Sequence, residues 1–160
     1  MSGIITDNVG RAGGLVKAAA AAGITLGTEQ ATTSGTSWTF GSIPAGTKRI
    51  SLHFSNVSTN NSTATFLVEI GDAGGLETSG YNSDSKYHEG TAVSGQAQST
   101  AAFAVCREQY GTSCVINGTV TFQLQDASDF TWVMTANLHH VGTGMSIAHG
   151  GKSLSAELTQ

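Results

Sequence analysis

Two stretches of strict period-two alternation constrain this chain more than anything else in it. In Thr47 to Gly71, Ile50, Leu52 and Phe54 alternate with Ser51, His53 and Ser55, and Phe66, Val68 and Ile70 alternate with Thr65, Leu67 and Glu69. In Cys114 to Leu138, Val120, Phe122 and Leu124 and then Phe130, Trp132, Met134, Ala136 and Leu138 repeat the pattern. A side-chain period of two is the signature of a strand with one buried and one wet face. Such strands cover a core but cannot form one alone, so several must pack into layers. The first stretch predicts a β-hairpin, with Ser58 to Thr63 as its turn, because short polar side chains there bond to nearby backbone.

The rest of the chain extends this picture. Trp38 and Phe40 are expected to open the strand region, and Ile43-Pro44-Ala45-Gly46 to form a tight turn. Ala101 to Cys106 predicts a strand with Phe103 and Val105 inward. Met145 with Ile147, and Leu154 with Ala156 and Leu158, predict two short strands near the end. Gly71 to Ser99 is polar and lacks apolar alternation, so it predicts a long loop with at most a weak strand near Tyr81. About eight strands separated by polar turns, with no amphipathic helix to serve as a parallel crossover, give an all-β, antiparallel two-sheet sandwich of the jelly-roll type. The boundary falls near residue 30. Residues 1–30 read as an extended N-terminal arm, glycine-rich with an alanine run, and residues 31–160 as the β-sandwich domain.

Charged residues make up only 11% of the chain, yet apolar residues reach 39% in ordered alternation, so hydroxyls and amides must solvate the surface. A net charge of −4 with seven scattered Lys and Arg argues against a nucleic-acid partner. No run approaches the roughly 18 apolar residues of a membrane span, and a secretory signal is not evident at Met1. Neither nucleic acid nor membrane is an expected partner.

Candidate chemical sites have plainer readings. There is no G-x-S-x-G elbow for a serine nucleophile. His139, His140 and His149 offer imidazoles, but adjacent strand residues face opposite ways, so solvated histidines are expected rather than a metal centre. Asp72, Glu77, Asp84, His88 and Glu89 lie in the polar stretch without the D-x-D-x-D-G calcium pattern. No catalytic residue, metal or cofactor is expected. Asn56, Asn60, Asn61 and Asn117 begin N-x-S/T triplets of the kind that so polar a composition produces by chance. Cys106 and Cys114 flank a seven-residue link between two predicted strands, a spacing that allows either a disulfide or two buried thiols.

SGIITDNVGRAGGLVKA at Ser2 to Ala18 resembles the opening segment of virion structural proteins of tailed bacteriophages, particularly marine ones. Ile50 to Phe54, Val57 to Tyr81, Asp129 to Leu138 and Lys152 to Leu158 are similar to β-domains of such virion and tail-fibre proteins. In the family, the segment like KSLSAEL runs on into a further strand pair, whereas this sequence ends at Gln160; the arm, a neighbouring subunit or the bound surface would then complete the sandwich.

The resemblance implies a non-enzymatic virion protein, a capsid decoration protein first and a minor tail or fibre component next, located on the virion after assembly in the host cytoplasm. Its implied partners are the major capsid protein or tail proteins and further copies of itself, with a trimer expected. The implied attachment residues are Ile4, Ile5, Thr6, Asp7, Asn8, Gly10 and Arg11. For a particle that persists outside the cell, a Cys106–Cys114 bridge is favoured over free thiols. A carbohydrate-binding module is the alternative from a different class, with Trp38, Tyr81 and Tyr87 as candidate stacking rings; inward-packed rings would speak against it.

Overall fold

A computed structural model describes residues 23–58, 65–106 and 115–160 of the chain. The chain divides into two units, residues 1–30 and 31–160. Of the first, the described residues 23–30 carry no helix or strand and expose Ile24 and Leu26.

The second unit is an all-β sandwich with layers of unequal size. Among the described residues its ten strands are β1 (Arg49–Val57), β2 (Phe66–Val68), β3 (Gly71–Asp72), β4 (Gly75–Leu76), β5 (Asn82–Glu89), β6 (Ala92–Ser99), β7 (Phe103–Cys106), β8 (Ile116–Asp126), β9 (Thr131–His140) and β10 (Gly144–Ser153). Six of them form one antiparallel sheet in the order β1-β8-β9-β10-β5-β6. The smaller layer consists of the two-stranded pair β2-β7, with β3-β4 as a separate two-residue ribbon.

The alternation read from the sequence places the core. Val120, Phe122, Trp132, Met134, Ala136 and Leu138 are buried in one cluster with Phe103 and Val105, and Leu52, Phe54, Phe66, Val68 and Leu124 pack half-buried against it. The Ile43–Gly46 turn also forms: Thr47 N–H donates to Pro44 O at 3.2 Å, and Gly46 sits at φ 77°, which glycine accepts without strain.

The predicted hairpin does not form. β1 pairs with β8, in register Ile50↔Phe122 and Leu52↔Val120, while β2 pairs with β7 in the other layer. The two arms of the alternating stretch therefore face each other across the core, where the Phe54 and Phe66 rings meet edge-on at 6.1 Å. Alternation reveals which side of a strand is apolar and not which strand lies beside it.

The stretch expected to be a loop is the second correction. Asn82–Ser99 is a full hairpin, β5 and β6, at the end of the large sheet. Its inward residues on β5 are Ser83, Ser85 and Tyr87, all buried. β7 runs directly over β5 and β10, so the inward positions beneath it must be small. A Cβ added to Gly150 of β10 would lie 2.7 Å from Phe103 Cδ1 and 2.8 Å from Ser83 Cβ, which leaves no room for a larger side chain.

The same constraint reverses the face expected for β10. Ser146 and Ala148 point inward, whereas Met145 is exposed and Ile147 half-buried on the outer side. A one-residue shift in the reading exchanges the two faces of a strand. Two further expectations fail at the ends. Trp38 and Phe40 lie outside any strand, 37% and 41% exposed. Leu154 and Leu158 are buried as anchors of an irregular tail rather than of a strand, held by Leu154 N–H on Phe130 O, by Thr159, which donates to Gly71 O and accepts from Ile43 N–H, and by reciprocal bonds between Gly71 and Gln160.

Trp132, 1% exposed, should lose about 3–5 kcal/mol of stability on truncation to Ala, read as a shifted denaturant midpoint. Gly150→Ala should cost about 1–3 kcal/mol through overpacking against Phe103 and Ser83, although its φ lies outside the left-handed region. A Gly150→Ala protein with the wild-type midpoint would show that β7 does not lie on β10 as described.

Candidate functional site

The sequence-predicted attachment residues, Ile4, Ile5, Thr6, Asp7, Asn8, Gly10 and Arg11, lie outside the described residues, as does Cys114. Cys106 is described, fully buried at the end of β7. Its sulfur stands 3.3 Å from His140 Nε2, and Ser146 Oγ donates to it at 3.6 Å. Ser146 Oγ is also 2.8 Å from His140 Nε2, and the Tyr87 ring meets the imidazole edge-on at 4.9 Å.

This cluster joins three strands, and each member is placed by the alternation of its own strand. His140 follows Leu138 on the inward side of β9, while His139 points out to solvent. The opposite facing of the two histidines follows the expectation from the sequence, but His140 is not solvated. Ser146 is the inward residue of β10 opposite Leu138, one turn of the ladder from the Gly144↔His140 pair. A thiol beside an imidazole is the pairing used for nucleophilic catalysis when it opens into a cleft. Here all three side chains are sealed from solvent, so the contacts act on the fold.

Burial holds the His140 imidazole below its ordinary pKa, with the neighbouring His139 adding to the effect. A neutral buried histidine binds fewer protons than the unfolded chain does, so this contribution is intact above the unfolded value of about 6.5 and fades as pH falls below it.

A second polar group fixes the tail. Asp72 accepts from Gly74 N–H at 2.8 Å and from the Ser155 hydroxyl at 2.6 Å, and these bonds hold its carboxyl below the usual carboxylate range. Nearby, the Tyr81 hydroxyl accepts from Ile70 N–H at 2.9 Å and offers its proton to the carbonyls of Ile70 and Glu77. This resembles the tyrosine corner of sandwich domains, in which a ring at a strand start ties back to upstream backbone. Burial pushes its pKa up to about 12. Lys152 lies over the ring at 5.5 Å and pairs with Glu77 at 3.1 Å. Asp72 and Glu77, considered from sequence as loop acids, are therefore occupied within the fold.

The exposed counterpart is the outer face of the large sheet. One row across all six strands runs His53, Thr119, Asn137, Ile147, Lys86 and Gln96. It is rich in hydroxyls and amides and sparsely charged, with Lys86 paired to Asp84 at 3.9 Å. Among the described residues no group of three or more His, Cys, Asp or Glu is placed to hold a metal ion, and no helix is long and apolar enough to cross a membrane. A small cavity lined by Thr47, Lys48, Leu124, Phe130, Trp132 and Glu157 opens beside the tail, and the Trp132 indole N–H meets no acceptor among the described residues.

Sequence reasoning missed the Cys106–His140–Ser146 cluster because its members are far apart in the chain and each belongs to a strand read for apolar residues alone. The signal was present in His140, which continues the inward series Trp132, Met134, Ala136, Leu138. No protein-family model matches the chain, and neither the curated proteins nor the solved structures compared with it contain a match.

The unfolding midpoint in denaturant should fall as pH is lowered from 7 to 5. His140→Gln should flatten that slope, at the cost of a lower midpoint at pH 7, while His139→Gln reduces it only in part. A slope unchanged by His140→Gln would assign the pH dependence elsewhere.

Proposed function

We propose that the chain is a non-enzymatic structural protein of a bacteriophage virion, a capsid decoration protein held to the particle by its N-terminal arm and working as a homo-oligomer. The observation that carries this reading is the broad outer face of the six-stranded sheet, which spans every strand and presents Thr, Asn, Gln and His with few charges. Such a face suits lying against other protein surfaces in an assembly and offers no concave site for a small substrate. The resemblance of Ser2 to Ala18 to virion proteins supplies the particle and the arm. Ile4 to Arg11 combines apolar anchors with Asp7, Asn8 and Arg11, which can pair with a coat protein's backbone and side chains. Ordering such a segment costs entropy and in return spreads contact over a wide surface.

The sugar-binding alternative rests on exposed rings. Tyr81 and Tyr87 are buried, leaving Trp38 as the exposed member of that set. Stacking of a sugar needs a platform of rings, so the packing favours the structural reading. A tail or fibre position uses the same chemistry and is separated from a head position by imaging the protein on intact particles.

Deleting Ser2 to Gly27 should leave the circular dichroism spectrum of the β-domain unchanged and abolish incorporation into particles. Normal occupancy by the deleted form would move attachment to the sheet face.

A further inference from the structure

The large sheet has two edges, β1 and β6, and they differ. β1 opens with the exposed cations Lys48 and Arg49 and breaks register between Phe54 and Val57, where Asn56 takes φ 54°. Charge and a bulge are the usual means of keeping an edge strand from recruiting another chain. β6 carries neither charge nor proline: from Thr91 to Cys106 the sequence holds no Asp, Glu, Lys or Arg. Its one protective feature is a register shift beside Tyr87 and His88, which leaves Gly95–Ser99 as a regular run. Among the described residues, no strand pairs with the outer edge of β6 and no backbone hydrogen bond outside the strand ladders reaches the Gly95–Ser99 run.

We propose that β6 is a self-pairing edge, through which two copies of this chain join antiparallel about a two-fold axis into one continuous sheet. The register follows from symmetry. Centred on Ala97, it is the one arrangement that uses all five residues from Gly95 to Ser99, and it places Gln96 opposite Gln98 of the partner subunit. Both glutamines are exposed on the outer face, opposite Lys86 and Asp84 within their own sheet, so their amides can ladder across the junction. On the inner face Gly95, Ala97 and Ser99 are small and half-buried, so close approach of a second backbone meets no bulky side chain.

The chemistry selects a second copy rather than a charged or apolar peptide. An uncharged antiparallel edge sets no like charge against itself, and its small inward residues offer no pocket for a large anchor. A three-membered ring would instead require β6 to pair with β1 of the next copy, against the register break and the cations there. A two-fold pair consumes the open β6 edge on both copies and closes without forming a filament. The proposal concerns the β-domain and stands apart from where the protein resides.

The test uses the full chain in analytical ultracentrifugation. Wild type should sediment as a concentration-dependent dimer, with slowed amide exchange at Gly95–Ser99 that quickens on dilution. The double substitution Gln96→Lys with Gln98→Lys sets like charges opposite each other twice and should weaken pairing at least about tenfold, with the circular dichroism spectrum unchanged. Gln96→Glu with Gln98→Glu should do the same, and an equimolar mixture of the two variants should restore dimers. If either variant loses stability, the mixture still decides, because only facing edges make opposite charges rescue each other. A wild-type monomer at all concentrations, a three-fold oligomer, or variants that pair as well as wild type and gain nothing from mixing would overturn the proposal.

Discussion

At the start of β7 the two layers of this sandwich are fastened by one hydroxyl. Ser83 on β5 accepts from Ala104 N–H at 2.9 Å and donates to Ala102 O at 3.1 Å, fastening the start of β7 to the large sheet. Among the described residues β7 has a ladder partner on one side only, the three-residue β2, so its backbone polar groups there depend on such side-chain bonds for satisfaction. All four of its residues are buried. Leaving a buried amide or carbonyl without a partner costs about 1–3 kcal/mol, which makes a serine at this position worth more than any aliphatic of similar size.

The close packing of β7 that this fastening accompanies explains much of the surrounding sequence. With β7 pressed onto β5 and β10, the residues beneath it must be small, hence Ser83, Ser85, Ser146, Ala148 and Gly150. The polar atoms brought in with those residues then need partners, and Cys106, His140 and Ser146 satisfy one another at the far end of β7. Where β8 and β9 face β2 and the tail, bulk returns as Phe122, Trp132 and Met134. The sandwich is thus polar and tight at one side of its core and apolar and large at the other. Its outer face answers to solvent or to a partner alone, which is why hydroxyls and amides fill it.

The legible part of the fold follows from the same division. β8 and β9 could be read directly, because Val120 to Leu138 buries large apolar residues at every second position and water on the other side leaves polar ones between. β5 could not, because its alternation of Ser with Asp and Lys looks uniformly polar unless hydroxyls are allowed a place in the core, and its hairpin partner β6 was lost with it. β10 was legible as a strand but not in its facing, since Met145 and Ile147 are the apolar residues and lie on the wrong side. Partner choice was not legible at all for β1 and β2: their pairing is decided by β8 and β7, more than thirty residues downstream. Of the candidate sites, the buried Asp72, the half-buried Glu77 and the inward His140 show how a residue read as loop or surface acquires a structural partner only when distant strands are brought together.

The most direct test of this account is amide hydrogen exchange at Ala104, compared between wild type and Ser83→Ala. If the Ser83 hydroxyl fastens the second layer, Ala104 exchanges in wild type as slowly as the amides of β9, and in Ser83→Ala exchange at Ala104 and along β7 quickens by at least about tenfold while β8 and β9 keep their protection. Protection of Ala104 that is weak in wild type, or unchanged by Ser83→Ala, would contradict it.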